Sequence, residues 1–224
     1  MCFSVEIIRD LKFLAQEFGA KIDKKAFMNL KNLSEKNPKD FKLPGEDNRI
    51  FPNVFAPILV KEKNERIFMP MRYRIRPKGT KEEIPSKYNL YNARMDSLFT
   101  KTTWTKILQN HRGIVPFKRF FEWVKTDSGK KKLGVFSPIG MDYMWAACLT
   151  DEWVSSDNKV SLKTFAIVTG EPPKEVQNAG HDRCPLFLKR VLIDSWISSK
   201  HENYEKLLKI LSEKEKVTYS FSLL

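Results

Sequence analysis

Cys2 stands directly behind Met1. With Met1 removed, it carries a thiol and an α-amine on adjacent carbons. The free α-amine has a pKa of about 8, against roughly 10.4 for lysine, so more of it is neutral near pH 7. The thiol, at about 8.5, is the best intrinsic nucleophile among side chains. An aldehyde meeting this pair forms a Schiff base with the amine, and the thiol can then close a five-membered thiazolidine. Three further stretches carry chemistry. Asn92, in Asn92-Ala93-Arg94, precedes a predicted helix, where its amide would cap the helix or orient a nucleophile. Glu122, in Phe120-Phe121-Glu122-Trp123, is a carboxylate among bulky apolar residues. Desolvation there would raise its pKa and suit it to general acid–base work. On a plainly alternating strand it would instead face water. His181 follows a glycine in Gly180-His181-Asp182-Arg183-Cys184-Pro185, where a proton donor of near-neutral pKa can meet a substrate. A lone loop histidine is more often a bystander, and His111 and His201 sit in polar contexts.

These residues need elements to hold them. Apolar spacing at Ile7, Ile8, Leu11, Leu14 and Phe18, ending at Gly19, predicts a helix over 4–18. Residues 20–53 are mixed and punctuated by Asn37-Pro38 and Pro44-Gly45. Strands are expected at 54–61 and 65–75, joined by Glu62-Lys63-Asn64, then a loop at 77–90 and a helix over 94–109. Further strands follow at 112–124, 131–137, 143–149 and 162–169, with Asp127-Ser128-Gly129 as a hairpin turn. A short helical or looped piece at 171–178, a strand-like 186–188 and helices at 190–199 and 201–213 complete the chain. Antiparallel strands with flanking helices, and no linker long enough to split them, give an α+β fold over 1–224 as one domain.

With 224 residues and 42% hydrophobic content, the chain can build a substantial core. No apolar run approaches the ~20 residues a bilayer-spanning helix needs. The first twenty residues mix acids and bases into their apolar stretch, unlike a secretory signal. Three scattered cysteines indicate neither a disulfide framework nor a zinc site, and a reducing intracellular compartment is expected. The net charge of +13 favours an anionic partner, nucleic acid or membrane surface. Basic residues interleave with aromatics at Arg72-Tyr73-Arg74, Arg76 and Lys118-Arg119-Phe120-Phe121, as in single-strand binders that pair a cationic groove with stacking rings. Phosphate-cradling glycine loops, serine elbows and metalloprotease motifs are absent from the sequence.

Taken together, Cys2, Asn92-Ala93-Arg94, Phe121-Glu122-Trp123 and His181-Asp182-Arg183-Cys184-Pro185 resemble, in order and rough spacing, the SRAP (SOS response-associated peptidase) family. That pattern is a Cys at position 2, N-A-R, G-F-Y-E-W and H-x-R-M-P. Arg72 to Pro77 looks like its R-W-G-L-I-P, Arg112 to Pro116 like its R-C-x-x-P, and Trp145 to Leu149 like its A-G-L-W strand. The resemblance implies a curved, barrel-like, mostly antiparallel sheet with flanking helices. It implies binding of single-stranded DNA and a thiazolidine crosslink to the ring-opened aldehyde of an abasic site. Removal of the chain's own Met1, and a lyase-like strand scission, go with it. Cys2 would supply amine and thiol, and Asn92 would hold the amine or the sugar. Glu122 would shuttle protons, and His181 would protonate the sugar ring oxygen. Arg94 and Arg183 would hold phosphates, and Arg72, Tyr73, Arg74 and Arg112 join them as DNA-binding residues, with Tyr73 as a stacking wedge. No cofactor, metal or membrane is implied. A monomer is expected, cytoplasmic or nucleoid-associated in a bacterium and nuclear in a eukaryote. The chain departs from the pattern where Cys-Gly-Arg becomes Cys2-Phe3-Ser4, where Gly becomes Arg74 and where Met becomes Cys184. The first of these removes an expected phosphate contact, and Phe3 would crowd the nucleophile. Two rivals remain: an N-terminal-nucleophile cysteine hydrolase using the same residues, and a non-catalytic nucleic-acid-binding module.

Overall fold

A computed structural model describes residues 4–126, 129–157, 160–198 and 201–224. In chain order the elements are β1 (Ser4–Ile7), α1 (Leu11–Phe18), β2 (Lys21–Ile22), α2 (Lys24–Lys36), β3 (Arg49–Ile50), β4 (Phe55–Glu62) and β5 (Glu65–Tyr73). Next come β6 (Asn92–Arg94), α3 (Thr102–Leu108), β7 (Arg112–Lys125), β8 (Lys131–Pro138), β9 (Met144–Val154) and β10 (Ser161–Gly170). The chain finishes with α4 (Lys174–Asn178), β11 (Cys184–Pro185), α5 (Ile193–Trp196), α6 (Tyr204–Ser212) and β12 (Tyr219–Leu223).

Five strands close on themselves. β10 pairs with β5, β5 with β4, β4 with β7, β7 with β9, and β9 returns to β10. The β10–β5 pairing is parallel and the other four are antiparallel. Closure removes the open edges that a flat sheet would expose. Side-chain alternation then sorts the residues. Ile58, Val60, Met69, Met71, Val115, Phe117, Cys148, Phe165 and Ile167 share the barrel core. Leu59, Phe68, Ile114, Leu149, Ala166 and Val168 point outward and pack under α1, α3, α5 and α6 through Phe18, Leu108, Trp196 and Leu207. The barrel is therefore filled by its own side chains and insulated by helices, as an α+β fold with a curved antiparallel sheet.

The predicted helix over 4–18 divides in two. Val5 and Ile7 gain more by pairing as β1 between β3 and β7, where they are buried, than by forming an exposed first turn. The helix then starts at Leu11, with the Asp10 side chain accepting from the Phe13 N–H, and it ends at Gly19 in the left-handed region. The predicted helix over 94–109 shrinks to Thr102–Leu108, because Asn92–Arg94 pairs with β10 at Ile167 to Thr169. Asn92 is thus a strand residue and caps no helix. Residues 20–53 hold α2, which lacked a clear apolar period, and the last residues form β12 on the outer edge of β8. The stretch 186–188 makes isolated bridges instead of a strand. Asp127 and Ser128 of the expected hairpin turn lie outside the described residues. Among the described residues, no helix is long and apolar enough to cross a membrane.

Candidate active site

Strand β7 brings Glu122 into the protein. It is 4% exposed, although its neighbour Trp123 is half exposed. Burial raises its pKa to about 7, and the negative charge of Asp182 adds to the rise. The expected desolvated carboxylate is present, and it can both give and take a proton near neutrality. The Trp123 N–H donates to the Glu122 carboxylate.

His181 arrives from the loop after α4, which Gly180 enters at φ +87°, a value that suits glycine. One ring nitrogen donates to the Trp123 backbone carbonyl, while Nε2 is buried and meets no hydrogen-bond partner among the described residues. Desolvation lowers the His181 pKa, so the ring is neutral near pH 7 and Nε2 is its basic atom. A single residue, Trp123, therefore ties Glu122 and His181 to one backbone position. The His181 ring also meets Phe136 of β8 edge-on, with centroids 6.4 Å apart.

Asn92 and Arg94 come from β6, which pairs with β10. β10 is the common support: Thr169 pairs with Arg94 of β6 on one side and with Pro185 of β11 on the other. Its Oγ1 is buried and meets no hydrogen-bond partner among the described residues. Asp96 then bridges the two flanks, accepting from Arg94 Nη2 at 2.8 Å and from Arg183 Nη2. Asn92 is 3% exposed. A cavity of about 590 Å³ opens beside it, lined by Asn92, Arg94, Tyr88, Ser97, Lys101 and Trp104 among others.

Four expected DNA contacts are placed otherwise. Tyr73 is fully buried, stacked on Phe165 at 5.0 Å and edge-on to Tyr91 at 5.7 Å, so neither ring face is open to a base. Its hydroxyl instead donates to Asn92 Oδ1 at 3.4 Å. Arg112 is 3% exposed and donates to the carbonyls of Trp196, Leu108 and Ser198 at 2.6, 2.8 and 2.6 Å. Arg72 forms a bidentate pair with Glu83 at 2.7 and 3.2 Å. Arg74 donates to the Ile84 carbonyl. Burial and these partners turn all four arms inward, and Arg72 and Arg74 stitch the 77–90 loop to the barrel. Arg74 has φ +120°, a conformation L residues rarely adopt, at the position where the resembled pattern carries glycine.

Cys2 lies outside the described residues. The chain is first described at Ser4, which pairs with Phe121, the residue before Glu122. Sequence reasoning missed Arg49, whose Nη2 donates to Ser4 Oγ at 3.0 Å and whose guanidinium lies 4.0 Å from the Phe121 ring centroid. Its sequence context, a polar turn at Gly45 to Asn48, carries no signal of a site. Asp96 and Thr169 were missed too, because only the fold gathers their partners around them.

The chain is similar to the abasic site processing protein YoaM of Bacillus subtilis, at 28% identity over 160 residues, covering 71% of this chain and 68% of that one. It is similar to the abasic site processing protein HMCES of Gallus gallus, at 23% identity over 197 residues, covering 75% of this chain and 58% of that one. It thus spans little more than half of the avian relative. A solved structure of a Bacteroides thetaiotaomicron protein shares the fold, with a TM-score of 0.76, 16% identity, and 100% and 92% of the two chains covered. A Bordetella bronchiseptica protein follows at 0.70, with 14% identity and 100% and 99% coverage. The SOS response associated peptidase (SRAP) family matches residues 1–222, and the chain belongs to that family.

Proposed function

We propose that this protein processes abasic sites, capturing the open-chain aldehyde in single-stranded DNA through Cys2 once Met1 is removed, and that residues 1–224 act as one domain. The Cys2 amine adds to the aldehyde carbon, and loss of one water leaves a Schiff base. The thiol sulfur then adds to the imine carbon and its proton passes to nitrogen, so the ring closes with one water as the only product lost. Glu122 delivers the proton that lets hydroxide leave as water and accepts the thiol proton. His181 moves the proton at the sugar ring oxygen. Asn92, held by the Tyr73 hydroxyl, orients the amine or the sugar. Arg94 and Arg183 share the Asp96 carboxylate, with Asp182 3.9 Å from Arg183 Nε, and their guanidinium forks hold phosphate.

What carries this reading is Glu122: a buried carboxyl with a pKa near 7, joined to His181 through Trp123, one strand position from where Ser4 enters the sheet. Two residues of chain keep the Cys2 Cα within about 7 Å of the Ser4 Cα in any conformation. The names of the relatives agree with an abasic-site substrate. The family description also contains the word peptidase, which fits cleavage of the Met1–Cys2 bond by the same groups.

The test is a single-stranded oligonucleotide bearing one abasic site, mixed with protein whose Met1 is confirmed absent by mass spectrometry and run on a denaturing gel. A shifted band is expected, with a mass equal to protein plus DNA minus one water. It should vanish in Cys2→Ala and with intact DNA. No covalent species under these conditions overturns the reading.

A further inference from the structure

The arginines near the site differ in whether a carboxylate already neutralises them. Arg72 and Arg76 share Glu83, Arg94 and Arg183 share Asp96, and Arg119 pairs with Glu6 at 2.8 Å. Arg49 has no carboxylate within ion-pair distance among the described residues. Its guanidinium is held by neutral groups instead: the Phe121 ring at 4.0 Å, the Phe51 ring at 5.0 Å, and Ser4 Oγ at 3.0 Å from Nη2. Its Nε is buried and makes no hydrogen bond among the described residues. Two aromatic faces and one hydroxyl fix the orientation of the fork, and no carboxylate among the described residues forms an ion pair with it.

We infer that Arg49 is a phosphate-binding residue that seats the DNA backbone beside Cys2. This rests on the capture of DNA proposed above. Arg49 sits on β3, which pairs with β1 at Val5 and Glu6, so the guanidinium is fastened to the strand that begins two residues after Cys2. The phosphates flanking a captured sugar lie within a few bonds of its aldehyde carbon, and a cation at Ser4 is within reach of one of them. Ser4 and Phe121 are opposite each other in the β1–β7 ladder, and strand alternation turns Glu122 to the other face. The Arg49 guanidinium and the Glu122 carboxyl therefore belong to opposite faces of β7.

The experiment uses the full-length protein and a single-stranded oligonucleotide carrying a tetrahydrofuran residue, which lacks the aldehyde and so reports non-covalent binding alone. Affinity is measured against salt for wild type, Arg49→Gln and Arg49→Lys, with a melting curve for each. Arg49→Gln is expected to bind roughly tenfold more weakly at low salt. It should also flatten the log–log salt dependence by about 0.7, the value of one phosphate on a single strand. Arg49→Lys should keep the wild-type slope. An unchanged slope in Arg49→Gln overturns the inference, as does an equal loss in both variants that tracks a fall in melting temperature. Wild type is also run on the true abasic oligonucleotide. Failure to crosslink there sinks the capture reading, whereas crosslinking with an unchanged Arg49→Gln slope sinks the assignment of Arg49 alone.

Discussion

Arg112 and Arg183 each belong to a motif of the family pattern, and their surroundings have nothing in common. Arg112 is sealed beneath α5, with donors in three carbonyls contributed by Leu108, Trp196 and Ser198, and desolvation lowers its pKa to about 10. Arg183 stands in the loop beside His181 and shares a half-exposed Asp96 with Arg94. The same contrast separates Arg72 and Arg74, which fasten the 77–90 loop through Glu83 and Ile84, from Arg49, which has aromatic rings and a hydroxyl for partners. A guanidinium whose donors are spent on protein oxygens is architecture. One with donors or charge to spare is available to a phosphate. The sequence RYRIR has the composition of a nucleic-acid interface, yet its arginines are among those most committed to the fold.

Arg112→Met tests this contrast most severely. It leaves three buried carbonyls without donors, at a cost of about 3–5 kcal/mol. For a chain of this size that is a drop in melting temperature on the order of 10 °C. A variant melting within two degrees of wild type would remove the distinction between the two groups.

Glu122→Gln gives the next largest effect, and it depends on pH. The folded protein holds the Glu122 proton up to about pH 7, whereas the unfolded chain releases it near the ordinary value of 4.5. The folded state therefore binds the extra proton in that window. Its stabilising contribution is complete below pH 4.5 and is lost as pH rises to about 7. Relative to wild type, Glu122→Gln should gain up to about 3 kcal/mol between pH 4.5 and 8 in denaturant titrations. A pH-independent difference would mean that Glu122 is ionised throughout. Crosslinking by this variant at pH 7 should slow by about 10²-fold or more.

Arg183→Gln is the mildest. Its ion pair with Asp96 is solvent-accessible enough that stability should change by less than about 1 kcal/mol. Its log–log salt slope for single-stranded DNA should flatten by about 0.7. Loss of stability without a change in slope would move Arg183 into the company of Arg112.

Much of the site was legible as residue types in order. Glu122 was readable because three aromatic neighbours left a carboxylate little room for water on a strand bound for the core. His181 was readable because a glycine before it marked a loop. The strands of the barrel followed from their alternation and their turns. The roles of Tyr73 and Arg112 were not legible, because an aromatic or a cation next to other cations reads the same whether it faces solvent or the interior. The start of the chain misled for a related reason: Ile7 and Ile8 fit a helical period, and only the edges of β3 and β7 make a strand the better way to bury Val5 and Ile7.

By itself the sequence determined the family, the antiparallel strand pattern and the chemical inventory: a cysteine behind the initiator, an amide, a carboxyl and an imidazole. These are properties of local composition and spacing, which survive in one dimension. Only the tertiary structure decided which groups are desolvated and which cations are already neutralised. Burial depends on residues distant in sequence, as when β10 gathers Arg94 and Pro185 around Thr169, or when β3 carries Arg49 across to Ser4. A pKa near 7 at Glu122 and a guanidinium laid over the Phe121 ring at Arg49 are both consequences of that long-range packing.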